Sequence, residues 1–130
     1  MAREYNRIYA KEFFEKSKRF LELAKNAVNQ YPDEAAFIAI QATINANDAF
    51  TIAIIGKRAS AEHNEAISLH KKAAAIIGES KSDVLNFELD KRSSTGYDIK
   101  THLGRVEAEI FIKRTERFLS WVEEKIKDVD

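Results

Sequence analysis

The chain has 130 residues, enough for one domain around a single core. Lysine plus arginine number 21 and aspartate plus glutamate number 21, so the formal net charge is zero and exerts no global pull toward nucleic acid or anionic membranes. Cysteine is absent, which excludes disulfides and thiolate metal sites.

In chain order, the first expected helix spans 3–30. Tyr5, Ile8, Tyr9, Phe13, Phe20, Ala24, Ala27 and Tyr31 recur at the spacing of one amphipathic face. Tyr31-Pro32 stops it, because a residue before proline resists helical dihedrals. Asp33 suits the start of a second helix over 33–55. There Ala35, Ala39, Ala42, Ala46, Ala49 and Ala53 form a seam of small side chains that lets another helix approach closely. Apolar residues surround much of the rest, so this helix should be central. A polar stripe, Gln41, Asn45 and Asp48, interrupts it. Unpaired buried polar groups are costly, so the stripe lines a groove or joins an intersubunit hydrogen-bond network.

Gly56 ends the second helix in a left-handed cap. A third helix is expected after an N-cap at Ser60 and up to Ile77, burying Ala66, Ile67, Ala73, Ala74 and Ile77. Gly78 closes it, and Ser82-Asp83 can cap a shorter fourth helix through Leu89. Residues 93–96, Ser-Ser-Thr-Gly, read as a loop. A fifth helix over 100–127 would bury Leu103, Val106, Ile110, Phe111, Phe118, Val122 and Ile126. No stretch alternates like a strand. The expected architecture is all-α, an antiparallel up-down bundle of four to five helices forming a single domain over 1–130. Residues 1–20 are charged throughout and do not read as a signal peptide. The longest apolar run falls short of the roughly 20 residues of a transmembrane helix, so a cytoplasmic protein without a membrane is expected.

Metal chemistry fails on spacing. The di-metal carboxylate bundle needs a glutamate three residues before each ligand histidine. Those positions here are Ser60, Ile67 and Ile99, ahead of His63, His70 and His102. His63 and His70 lie about two turns apart, roughly 10 Å of rise, too far to share an ion. No metal and no cofactor is therefore expected. Serine-hydrolase elbows and phosphate-binding glycine loops are absent from the sequence.

The remaining chemistry is Arg58 and His63. Arginine can fork a phosphate and histidine can move a proton near neutral pH. Together they could hold an RNA phosphate and assist attack by the neighbouring ribose hydroxyl. The alternative is structural: the pair ties the corner between the second and third helices. Asn45, Asp48, Arg92 and Tyr97 are candidate binding residues, with Tyr97 either a lid or a loop anchor. Lys91-Arg92 and Lys113-Arg114 with Arg117 are basic clusters among acids, as solvated faces with ion pairs would be. Phe118 and Trp121 suit a core or a dimer contact.

The run 46–69 resembles the helix–turn–helix core of small HEPN-domain proteins. Asp48-Ala49, Gly56, Arg58, His63 and Glu65-Ala66 carry the likeness, which extends over roughly 35–122 and includes Tyr97. It implies a bundle of four or five helices, often a homodimer. Many members are metal-independent ribonucleases, some of toxin–antitoxin or defence type, whose signature is an arginine, four to six residues, then a histidine. Arg58 and His63 match that spacing, with Ala59 where the signature usually has a polar residue. Other members bind nucleotides or a partner nucleotidyltransferase, or act as interaction modules without catalysis.

Overall fold

The computed structural model describes residues 2–60, 62–96 and 103–127, the side chains of 93–96 excepted. The central element is α2 (Pro32–Ile55), against which all the other helices pack: α1 (Tyr9–Ala27), α3 (His63–Ile77), α4 (Ser82–Gly96) and α5 (Arg105–Ile126). The fold is all-α: among the described residues it is a bundle of five helices with a miniature two-stranded sheet. The alanines at 35, 39, 42, 46, 49 and 53 are all buried. The seam is thus spent on packing within the chain and is not free for a second copy.

The two larger apolar clusters among the described residues lie along α2. At one end Phe14 of α1 meets Phe50 of α2 and Phe118, Trp121 and Val122 of α5. At the other, Ala24 and Val28 meet Ala36 and Ile40, with Phe111 and Ile112 of α5. An 18-residue window of α2 has mean hydropathy 1.3, long and apolar enough to cross a membrane, yet 72% of it is buried inside the bundle. Its apolarity, greater than the sequence runs suggested, serves this core.

Between the clusters lies a polar plug. Thr43 of α2 and Thr115 of α5 donate hydrogen bonds to Glu88 Oε1 of α4, at 2.9 and 3.1 Å. The Thr115 hydroxyl also lies 3.2 Å from the Ala39 carbonyl. Glu88 is fully buried, and its Oε2 has no hydrogen-bond partner. Burial pushes its carboxyl up to about 7, against the two threonines and the nearby Arg114 charge.

Several element boundaries differ from expectation, each for a local reason. Helix α1 begins at Tyr9 rather than residue 3. Asn6 Oδ1 accepts the Ile8 N–H at 3.1 Å, a side-chain turn that competes with helix. The residues before it form β1 (Arg3–Glu4), antiparallel to β2 (Lys57–Arg58), a pairing absent from any alternating pattern. The buried line of α1 runs through Ala10, Phe14, Ser17 and Ala24, leaving Ile8, Tyr9 and Tyr31 exposed. Ser60 does not cap α3: Glu62 is the N-cap, and Glu65 Oε1 accepts the Ser60 N–H at 2.6 Å. Helix α4 continues through 93–96, where a loop was expected. On α5, Phe111 is buried as expected, but Val106 and Ile110 face outward, and Ala108, Ile112 and Thr115 are buried instead.

Gly56 adopts φ 66°, and its N–H donates to the Ile52 carbonyl at 2.9 Å. This left-handed cap turns the chain back along α2 instead of letting it run on. The return segment 57–60 pairs with β1 and delivers α3 beside the middle of α2. That reversal creates the concavity of greatest functional interest among the described residues.

Candidate functional site

A cleft of about 680 Å³ opens between α2, the return segment, α3 and α4. Gln41, Ile44, Asn47 and Asp48 of α2 form its base. Arg58, Ala59, Ser60, Glu62 and His63 form one side, with Ala66 beyond them. Leu85, Leu89 and Arg92 of α4 form the other, and Ala2 and Arg3 reach its edge. Among the charged side chains in this lining are three arginines, Arg3, Arg58 and Arg92, against two acids, Asp48 and Glu62.

The fold-back brings Arg58 onto Asp48, ten residues earlier. Arg58 Nε donates to Asp48 Oδ2 at 3.0 Å, and Nη1 donates to the Tyr5 hydroxyl at 3.3 Å. The guanidinium lies over Phe13 at 4.5 Å and nearer the edge of its range over Tyr5 at 5.8 Å. Asp48 is buried while Arg58 remains partly open to solvent. Burial pushes the Asp48 carboxyl up to about 6, with the Arg58 bond and charge pulling the other way. Burial also works against the Arg58 charge, but the bonds to Tyr5 and Asp48 outweigh it and raise its pKa. Two N–H groups of the fork are used here, and Nη2 makes no hydrogen bond among the described residues.

His63 is the first residue of α3. Its Nε2 lies 2.8 Å from Asn86 Oδ1, and its Nδ1 lies 3.7 Å from Asp90 Oδ1, both on α4. Its ring is oriented by α4 rather than by Asp48. With Nε2 donating to Asn86, Nδ1 is the nitrogen left to accept or release a proton.

The expected residues thus separate. Arg58, His63, Asp48 and Arg92 line one cleft. Asn45 does not: its Nδ2 donates to the Gln41 carbonyl of its own helix at 2.9 Å. The groove side of the polar stripe is Gln41 and Asp48 together with Asn47. Tyr97 lies outside the described residues. Two partners were missed in the sequence. Asn47 lies outside the polar stripe that spacing picks out, and the spacing of His70 bears only on a metal role. In the structure His70 Nδ1 lies 2.9 Å from Asn47 Oδ1. Among the described residues no group of three or more His, Asp or Glu side chains is placed to hold a metal ion.

The cleft therefore combines a partly engaged guanidinium, a histidine with one nitrogen available, amides and an apolar wall. Those groups suit an anionic, partly planar ligand: charge at one end, a flat apolar surface at the other. No family model matches the chain, and no curated protein is significantly similar to it.

Proposed function

We propose that the chain is a HEPN-like domain that binds RNA or a nucleotide in this cleft. The observation that carries the reading is the gathering of Arg58 and His63, by a left-handed turn at Gly56, around one concavity that Arg92 of α4 also lines. Its arginines outnumber its acids in an otherwise neutral chain, which favours an anionic ligand there. Ile44 and Ala66, backed by the buried Leu85 and Leu89, supply an apolar face on which a base can lie.

In this reading the cleft also supports metal-independent cleavage. Arg58 holds the phosphate with the donors that Asp48 and Tyr5 leave. His63 takes the proton of a ribose 2′-hydroxyl as that oxygen attacks the adjacent phosphorus. The bond from phosphorus to the 5′-oxygen breaks, and the imidazolium returns its proton to the leaving oxygen. The products are a 2′,3′-cyclic phosphate and a 5′-hydroxyl end. A homodimer would use a face other than the buried alanine seam, and Val106 and Ile110 are exposed apolar residues on α5.

A specific observation favours a second reading, a non-catalytic interaction module. Arg58 is bonded to Asp48 and Tyr5 and so ties β1, α2 and the return segment together. The test incubates mixed RNA with purified protein in EDTA, alongside Arg58→Ala and His63→Ala. Cleavage that survives chelation and is lost in both variants supports the nuclease. Binding without cleavage, weakened in Arg58→Ala, supports the nucleotide-binding domain. Neither binding nor cleavage, with Arg58→Ala lowering the melting temperature, supports the module. A toxin–antitoxin or nucleotidyltransferase association would be sought by co-purification.

A further inference from the structure

Asn47 has an orientation fixed by a chain of donors and acceptors, and that orientation limits what the cleft can recognise. The chain starts at the turn between α3 and α4. The Lys81 backbone N–H lies 3.0 Å from His70 Nε2. A backbone N–H can only donate, so Nε2 must accept and carries no proton. In a neutral imidazole the proton is then on Nδ1. His70 is fully buried, and burial pushes its pKa down to about 4, which keeps it neutral. Nδ1 therefore donates across 2.9 Å, and the Asn47 atom receiving it must be the carbonyl Oδ1.

This leaves the Asn47 amide nitrogen. Asn47 is 1% exposed, lines the cleft, and makes no other hydrogen bond among the described residues. Its Nδ2 is also not among the atoms sealed from solvent without a partner. The nitrogen thus meets the cleft as a donor with no protein acceptor. A nearly buried amide in this position is costly unless a ligand or water completes it.

We propose that Asn47 is a specificity-determining residue of the cleft, donating from Nδ2 to the exocyclic carbonyl of a uracil or guanine base. The proposal rests on the reading of the cleft as an RNA or nucleotide site. Asparagine reads adenine by accepting from N6 while donating to N7. Here one lone pair of Oδ1 is already taken by His70, so a bidentate adenine contact would have to share that oxygen and is disfavoured. A keto-bearing base needs only the donor, which is wholly free. Ile44 would support the base face, backed by the buried Leu85 and Leu89, and Gln41 could meet a second edge atom.

The test measures binding of short oligo(U) and oligo(A) to the wild-type protein and to Asn47→Asp in EDTA at pH 7.5. The aspartate keeps an acceptor for His70 but replaces the donor by an acceptor. One neutral hydrogen bond predicts oligo(U) binding roughly tenfold tighter than oligo(A) in the wild type. That preference should vanish in Asn47→Asp. Equal binding of both oligomers, or an adenine preference, overturns the assignment of Asn47 while leaving the cleft reading in place. No binding of either oligomer overturns both. A second readout needs no variant: ¹⁵N spectra should show His70 protonated on Nδ1 only, and titration with UMP should shift the Asn47 side-chain amide. A proton on His70 Nε2, or an unmoved Asn47 amide at saturating UMP, also refutes the proposal.

Discussion

Glu88→Gln should make the protein less sensitive to alkaline pH, and the size of the effect can be worked out. Glu88 is sealed between α2, α4 and α5, with only Oε1 satisfied. Its pKa rises from 4.5 to about 7 on burial. A carboxyl with a raised folded pKa holds its proton more tightly when folded. It therefore adds stability at low pH, and that stability is lost as the pH rises from 4.5 through 7. At about 1.36 kcal/mol per unit, the full effect between pH 4 and pH 8 is about 3 kcal/mol. For a chain of this length that corresponds to about 10 °C in melting temperature.

Glutamine keeps the acceptor for Thr43 and Thr115 and never ionises. It also places an amide nitrogen where Oε2 has no partner, at a cost of about 1–3 kcal/mol. The absolute stability of the variant is thus a balance, but the cost of the orphan nitrogen does not depend on pH. The discriminating quantity is the stability of the variant minus that of the wild type, from urea melts at pH 4 and pH 8. It should shift in favour of the variant by about 3 kcal/mol at the higher pH. A difference constant within about 0.5 kcal/mol would refute the burial argument for Glu88. Asp48 and His70 titrate in the same window, but they do so in both proteins and cancel in the subtraction.

His70 has the opposite sign. Its folded pKa is depressed to about 4 from 6.5, so its contribution is full above 6.5 and is lost as the pH falls toward 4. His70→Gln should cost about 1–3 kcal/mol at pH 7.5 in urea melts and clearly less at pH 4; equal losses would contradict a neutral, doubly bonded imidazole. Gly56→Ala places a side chain at φ 66°, and thermal melts should show a loss of about 1 kcal/mol or more. Asp48→Asn removes the charge that competes for Arg58. Fluorescence anisotropy at low salt should show several-fold tighter binding of oligo(U), and unchanged or weaker binding would argue that Arg58 does not meet the phosphate.

The helices were legible because their causes are local. The alanine seam, the glycines at 56 and 78 and the proline at 32 act through neighbours three or four residues away, so periodicity alone placed α2 and the end of α3. The polar stripe shows where that logic stops. Taking about 100° per residue, Asp48 lies about 20° from Gln41, Ile44 about 60° to the same side and Asn47 about 120°, whereas Asn45 lies about 40° to the other side. The sequence therefore identified the middle of the polar face but not which flank is open. That choice depends on where α3 and α4 sit, which no spacing within α2 encodes. The same limit hid the polar plug, since Thr43, Glu88 and Thr115 come from three helices and meet only through packing.

The Arg58–Asp48 contact carries this further. Ten residues of uninterrupted helix would separate such a pair by about 15 Å of rise. It forms at 3.0 Å because Gly56 reverses the chain and β1 then holds the reversed segment, with the Tyr5 N–H on the Gly56 carbonyl at 2.8 Å. The reversal has two consequences for chemistry. It delivers His63 to the same cleft as Arg58, and it partly neutralises Arg58 with a carboxylate that burial has pushed up to about 6. As the pH falls through 6, Asp48 takes a proton and the unchanged charge of the guanidinium is no longer offset, leaving it available to a phosphate. Phosphate affinity in the cleft should therefore rise on mild acidification, and in Asp48→Asn that particular increment should disappear. A profile rising equally in both proteins would remove Asp48 from the control of Arg58.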